Sequence, residues 1–118
     1  MRFLLLVATI LAGSASAQEA TDTGSGAMLR GLDKLTGRAG DIEIRSGGMA
    51  QFGRIEVSMS ECRYPEGDPA SDAFAFLTVR EAGKAEPVFR GWMVASSPAL
   101  NAMDHQRYDV WVLRCTTS

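Results

Sequence analysis

Apolar residues alternate with polar residues over several short stretches of the chain, and Gly, Pro and Asp separate these stretches. In one of them Ile55, Val57 and Met59 face one side, because a polar residue stands between each pair. A period of two is typical of half-buried β-strands. The pattern predicts strands over residues 28–35, 41–45, 53–59, 74–80, 88–95 and 108–115.

One stretch, residues 96–103, favours a short helical turn instead, in which Ser97 would cap and Pro98 would take the first helical position. The last strand, 108–115, is apolar on both faces, which indicates a central place in a sheet. Short strands at this spacing predict an all-β fold. We expect a small antiparallel β-sandwich or open barrel of about six strands with one short helical turn.

The N-terminus has the pattern of a cleavable export signal. Arg2 is followed by an apolar run over 3–12 and by small residues that end at Ala17. The run is shorter than the ~20 residues that span a bilayer, which argues against a membrane anchor. Ser14 stands where a lipoprotein would need its lipidated Cys. We therefore predict a signal peptide over 1–17, a periplasmic mature protein and no membrane insertion after cleavage.

The rest of the chain divides into two parts. Residues 18–27 are small and polar and predict a flexible leader. Residues 28–118 then form a single β-domain. The whole chain has 118 residues, 46% of them hydrophobic and 22% charged, enough to fill one core. Its net charge of −2 argues against a nucleic-acid partner, which would select for a basic surface.

The two cysteines, Cys62 and Cys115, predict one disulfide in an exported protein. A two-thiol metal site or a catalytic thiol is less favoured, since His105 is the sole histidine. Cys62 stands three residues after Met59, so on a regular strand it would face away from the apolar side. A buried bridge on that side requires a bulge near Ser60 and Glu61, unless the strand ends by Ser60.

The sequence contains no complete catalytic or metal-binding motif. Ser96, Ser97, Asp104, His105 and Asp109 have the residue types of a hydrolase, but no nucleophile elbow accompanies them. We therefore expect no enzyme activity. One His gives no zinc ligand set, and the three carboxylates of the loop 65–72 lack the spacing of a calcium loop. We expect neither a metal nor a cofactor.

Aromatic residues flank a polar loop near the C-terminus. Trp92 and Trp111 lie on late strands, and we expect at least one of them in the core. An exposed indole beside the polar loop favours a recognition surface for a protein or a sugar ring. The candidate interaction residues are Trp92, Asn101, His105, Tyr108, Asp109 and Trp111.

The C-terminal pattern also resembles a known family. The stretch 91–103, His105 and the stretch 108–115 are similar to the small secreted bacterial proteins of domain-of-unknown-function family 2155, and 32–38 and 52–55 fit its earlier segments. The likeness covers 29–115. It implies a single β-domain with paired cysteines in the bacterial envelope and no established activity. It also suggests a link with genes for accessory parts of the respiratory NADH dehydrogenase.

These observations lead to a functional expectation. The protein is predicted to be an exported, non-catalytic module that docks on an envelope protein, at an inner-membrane complex of which a respiratory complex is one example. The alternative is a domain that binds a small ligand or a glycan through Trp92 or Trp111. The sequence predicts neither the partner's identity nor the oligomeric state.

Overall fold

A computed structural model gives the fold of residues 20–118, which are the residues that the structure describes. The predicted signal peptide over 1–17 lies outside them. The described chain forms eight strands and one 3-10 turn. In order these are β1 Thr21–Thr23, β2 Gly26–Asp33, β3 Arg38–Arg45, β4 Met49–Phe52, β5 Ile55–Pro65, β6 Phe74–Glu81, β7 Pro87–Val94, the 3-10 turn Pro98–Asn101 and β8 Tyr108–Thr116.

The strands form two antiparallel sheets that face each other. The first sheet has the order β1-β5-β6-β7, and β4 also pairs with β5. The second sheet has the order β3-β2-β8. The predicted all-β class, the antiparallel arrangement and the short helical turn are confirmed. Two of the eight strands, β1 and β4, were not predicted, because β1 is short and polar and β4 has only four residues.

The core fills the space between the sheets, and its side chains follow the alternation in the sequence. Along β5 the predicted inward residues Ile55, Val57 and Met59 are all buried. Burying one such side chain contributes about 1.5–3 kcal/mol. The largest fully buried side chains in both sheets are Leu29, Ile55, Met59, Leu77, Val57, Val79, Val110 and Val112.

A bulge in β5 turns Cys62 into this core. The pairing of β5 with β6 shifts register between Met59 and Glu61, where the parity of the sequence predicted a bulge. Cys62 is fully buried and is bonded to Cys115 on β8, with the Cα atoms 5.7 Å apart. The predicted disulfide is therefore confirmed. It joins the two sheets covalently through their facing sides.

The predicted leader over 18–27 is wrong for its described part. Thr21–Thr23 forms β1, which pairs with the end of β5, and Ala27 is fully buried in β2. Main-chain pairing needs no apolar side chains, so a polar strand gives no signal in the pattern. Small residues allow close packing here, because a Cβ at Gly26 would collide with the carbonyl oxygen of Ile44.

Two further expectations need correction. β8 lies at the edge of its sheet and not at the centre. Its outer face carries Trp111 and Leu113, which are apolar yet only half-buried. The 3-10 turn begins at Pro98 as predicted, but the side chain of Ser97 makes no capping bond. The Ser97 carbonyl instead accepts the N–H of Leu100 at 3.0 Å.

Candidate functional site

The Asp33 carboxylate and the Arg107 guanidinium form a two-pronged ion pair at one end of the sandwich. Arg107 Nε and Nη2 donate to the two carboxylate oxygens at 3.1 and 2.9 Å. Asp33 also accepts the backbone N–H groups of Leu35 and Thr36. The hydrogen bond from Arg107 is the main reason why the pKa of Asp33 falls to about 2, although burial opposes the shift. This pair fixes the loop before β8 onto the end of β2.

His105 holds the same loop in place with both ring nitrogens. Its Nδ1 accepts the backbone N–H groups of Arg107 and Tyr108 at 3.0 and 3.1 Å. Because Nδ1 accepts, the ring proton is assigned to Nε2, which donates to Glu81 Oε1 at 2.9 Å. Hydrogen bonds from Lys84 and His105 lower the pKa of Glu81. His105 therefore ties the turn after β6 to the start of β8.

Tyr108 is part of the core and not of a contact surface. The side chain is buried, and its ring meets Phe52 edge-on with the centroids 6.1 Å apart. Its hydroxyl accepts the backbone N–H of Arg54 at 3.1 Å. The guanidinium carbon of Arg107 lies 5.1 Å from the ring centroid. Tyr108 thus packs in the core beneath Arg107 and the Asp33–Arg107 ion pair.

These groups border a cavity that we call the charged pocket. Its volume is about 590 Å³. It is lined by Arg54, Glu81, Ala82, Lys84, His105, Arg107 and Tyr108. Most of its charges already have partners, since Lys84 pairs with Glu81 at 2.8 Å and Arg107 with Asp33. The charged side chains that line the pocket therefore serve mainly to hold the neighbouring loops in place.

A second cavity runs beside the outer edge of β8, and we call it the β8 groove. It has a volume of about 380 Å³ and a mainly apolar wall. Three small residues of the loop around the 3-10 turn face three residues of the strand. The lining residues are Pro98, Ala99, Ala102, Asp109, Val110 and Trp111.

Asp109 is the one ionisable residue of this groove. It is half-buried on the outer face of the sheet. Among residues 20–118 no side-chain hydrogen bond or ion pair reaches its carboxylate. A partly buried charge without a partner is costly, and a cation from outside would offset that cost. The groove thus combines an apolar wall with an unpaired negative charge.

Trp92 lies elsewhere, on the outer face of β7. It is 40% exposed and meets Phe76 edge-on, with the ring centroids 5.4 Å apart. Arg90 lies over the same Phe76 ring at 5.7 Å. Asn101 Nδ2 donates to the Trp92 carbonyl oxygen at 2.9 Å, which fastens the 3-10 turn to β7. The expectation that one Trp would fill the core is wrong, because Trp92 is exposed and Trp111 is half-buried.

The six candidate residues therefore separate into three places. Asp109 and Trp111 share the β8 groove, His105 and Tyr108 border the charged pocket, and Trp92 and Asn101 meet at β7. Within residues 20–118 the structure brings only the first pair together on an open apolar surface.

The serine and histidine of the hypothetical hydrolase set are not brought together. Both ring nitrogens of His105 are engaged as described, and Ser96 Oγ donates to Asp72 at 2.8 Å. Asp72 also accepts the N–H groups of Ala73 and Ser96, so it closes its loop. In the part of the chain that the structure describes, no three His, Cys, Asp or Glu side chains lie close enough to hold a metal ion.

Sequence reasoning missed Asp33 and the open edge of β8. A signal for Asp33 exists in the alternation of β2, because Leu29, Gly31 and Asp33 occupy the inward positions. An inward carboxylate needs a cationic partner. Nothing local identifies that partner as Arg107, since 74 residues separate the two.

Comparison with known proteins identifies related chains and names no activity for them. A 28% identical relative is an uncharacterised protein of Rickettsia prowazekii (strain Madrid E), matched over 87 residues that make up 71% of this chain. The matched segment spans 56% of that relative's length. No solved structure matches the chain. The family described as an uncharacterised protein conserved in bacteria matches residues 27–115, and the chain therefore belongs to this family, domain-of-unknown-function family 2155.

Proposed function

We propose that this protein is a non-catalytic periplasmic module that docks on another envelope protein at the face of an inner-membrane complex. A respiratory complex is the first to test. The β8 groove carries the proposal, because it joins the half-buried Trp111 to an unpaired Asp109 on an open surface. Tryptophan is enriched among the side chains that anchor protein interfaces.

Export is supported by the covalent link between the sheets. Disulfides persist in oxidising compartments such as the periplasm and are rare in the cytosol. Cys62 and Cys115 are both bonded, and no free cysteine occurs in residues 20–118. Within the same residues, no helix has the length and apolar character to cross a bilayer. The N-terminal pattern of an export signal points in the same direction.

The absence of catalysis is proposed from the state of His105. A general base must have one ring nitrogen free to accept a proton from a nucleophile. Here Nδ1 accepts two backbone N–H groups and Nε2 donates to Glu81. The residue thus serves to position a loop.

Photo-crosslinking in living cells tests the docking role. Ala99→p-benzoylphenylalanine places the probe on the loop wall of the groove, and Ala39→p-benzoylphenylalanine places it on β3, at the opposite edge of the same sheet. Both alanines are exposed, so the two variants are matched. We expect one reproducible adduct from position 99 in the inner-membrane fraction, and loss of that adduct with Trp111→Ala. Equal labelling from both positions, or none from position 99, would contradict the proposal.

The export role has a separate test. Intact mass of the protein purified from the periplasm should show removal of residues 1–17 and no alkylation of Cys62 and Cys115 before reduction. A full-length cytosolic product with two alkylated thiols would overturn the periplasmic assignment.

The second candidate function is glycan binding, and the exposed Trp92 favours it. Its indole lies against Phe76 on the outer face of β7, where a sugar ring has room to stack. Cosedimentation with isolated peptidoglycan discriminates the two functions. Glycan binding predicts retention that Trp92→Ala or Trp111→Ala abolishes. Docking on a protein predicts that the unaltered protein cosediments with peptidoglycan no more than the Trp92→Ala and Trp111→Ala variants do.

A further inference from the structure

The open edge of β8 indicates how a partner would occupy the groove, and this inference rests on the proposed function. We infer that the β8 groove receives one extended segment of a partner protein, which pairs with β8 as an added strand and carries a Lys or Arg against Asp109. The direction of the main-chain groups of β8, the wall opposite the strand and the charge of Asp109 each support one part of this inference.

The register of β8 determines which main-chain groups point outward. The N–H of Lys34 donates to the carbonyl of Arg107 at 2.7 Å, so this opposed pair is hydrogen-bonded. Hydrogen-bonded and non-bonded pairs alternate along an antiparallel ladder. Asp109 and Trp111 therefore direct their N–H and C=O groups to β2, whereas Val110 and Val112 direct theirs to the open side.

Tyr108 gives an independent check on this register. It precedes Asp109 and should also point its N–H away from β2. Its N–H indeed donates to Nδ1 of His105, at 3.1 Å. His105 thus closes the beginning of the edge, and the open edge starts at Val110.

The outward groups of Val110 and Val112 have no partner among residues 20–118. β8 pairs only with β2 there, and no loop or side-chain hydrogen bond reaches either valine. Unpaired edges are templates for strand addition, and natural proteins usually block them. An occupant that is itself an extended strand would satisfy both residues.

The loop beside the strand favours an occupant that is a single strand. Pro98, Ala99 and Ala102 line the same cavity of about 380 Å³ as β8. Neighbouring strands lie about 4.7–4.9 Å apart, so a segment that pairs with β8 would enter this cavity. A second copy of this chain would bring a whole sheet to the edge, whereas a segment of another protein would bring one strand.

The side chains next to the edge define the segment's chemistry. Asp109 and Trp111 lie on the same face, two residues apart. Opposed side chains on one face of a sheet form the pairs that stabilise it. An apolar residue of the segment would pack against Trp111, and a Lys or Arg two positions away would form an ion pair with Asp109. Alternate residues of the segment would face the small residues Ala99 and Ala102.

The test uses random dodecapeptides displayed on phage as the probe. They are selected on the full mature protein and counter-selected on Trp111→Ala. We expect enriched peptides in which apolar residues alternate and one Lys or Arg recurs. Selection on Asp109→Lys should replace that cation with Asp or Glu. Failure to enrich any peptide, or a charge preference that does not reverse, would overturn the inference.

Two further measurements isolate strand addition from simple groove binding. Val110→Pro removes an outward N–H and no bond to β2, while Val110→Ala trims the same side chain and keeps the N–H. We expect the proline variant to bind a selected peptide roughly tenfold more weakly than the alanine variant. In the unaltered protein, the peptide should protect the Val110 and Val112 amides from exchange. This second measurement holds even if the proline variant fails to fold.

The outcomes separate the inference from the proposed function. A selected peptide that binds without protecting Val110 and Val112 would overturn strand addition, while the cross-link from position 99 would still support docking. Loss of that cross-link removes the docking role itself, whatever the peptides do.

Discussion

Asp33 and Arg107 lie 74 residues apart in the chain and form an ion pair at one end of the sandwich. Arg107 Nη2 lies 2.9 Å from Asp33 Oδ2, and the aspartate side chain is only 11% exposed. The pair links the end of β2 to the loop that leads into β8. The same loop carries His105, so these contacts together fix where the open edge of β8 begins.

This ion pair predicts a specific dependence of stability on pH. The pKa of Asp33 is about 2 in the folded protein, below its ordinary 3.8. A lowered pKa means that the ionised form stabilises the fold. The contribution is complete above pH 3.8 and disappears as the pH falls towards about 2. We expect Asp33→Asn to be less stable above this window and to lose less stability within it. Urea unfolding across the window measures both, and parallel curves for the two proteins would contradict this role of Asp33.

The disulfide predicts a large change in the free energy of unfolding. It closes a loop with a separation of 53 residues. Restriction of the unfolded chain by such a loop contributes about 4 kcal/mol in the loop-entropy treatment. We expect a loss of about this size in the double variant Cys62→Ala with Cys115→Ala. Unfolding of the reduced native protein is the matched comparison, and a loss below about 1 kcal/mol in both would show that the link contributes little.

The parity of β5 after Met59 is expected to be a condition for the disulfide. Deletion of Ser60 and Glu61 together would place Cys62 directly after Met59 and turn it away from Cys115. We expect this variant to retain two thiols that react with an alkylating reagent, as measured by intact mass. Deletion of Ser60 alone removes only the extra residue of the bulge, keeps Cys62 on the inward face and should leave both cysteines unreactive. A fully bonded double deletion would mean that β5 adapts in another way.

Gly53 is expected to be the least replaceable of the turn glycines. Its φ is +55°, and an added Cβ would lie 2.6 Å from the Tyr108 hydroxyl. Gly37 has a φ of +75° and nothing within 4 Å of such a Cβ. Gly37→Ala therefore measures backbone strain alone. We expect Gly53→Ala to lose about 1–3 kcal/mol more, from overpacking against Tyr108. Equal losses in thermal unfolding would show that the ring moves aside freely.

The sequence predicted those features that depend on local alternation. Ile55, Val57 and Met59 gave the inward face of β5, and the parity of Cys62 gave the bulge. β4 was not predicted, because a strand of four residues is too short for its pattern to exceed chance. The polar β1 pairs through its main chain, which a hydrophobicity pattern does not report.

The remaining features depend on contacts that are distant in the chain. In the sequence Arg107 is one of several polar residues before β8, and only the fold places it beside Asp33. The apolar residues on both faces of β8 predict a central strand, whereas β8 is an edge strand that borders a groove. The strand order decides between these interpretations, and no local pattern determines strand order. The exposure of Trp92 and Trp111 could not be derived for the same reason.

The most direct test of the account is amide hydrogen exchange along β8 in the isolated protein, resolved residue by residue by NMR. Asp109 and Trp111 donate to β2, so their amides should be strongly protected. The amides of Val110 and Val112 point to the open edge and should exchange orders of magnitude faster. Protection of all four amides, or protection of the two valines alone, would contradict an open β8 edge and with it the proposed docking of a partner strand.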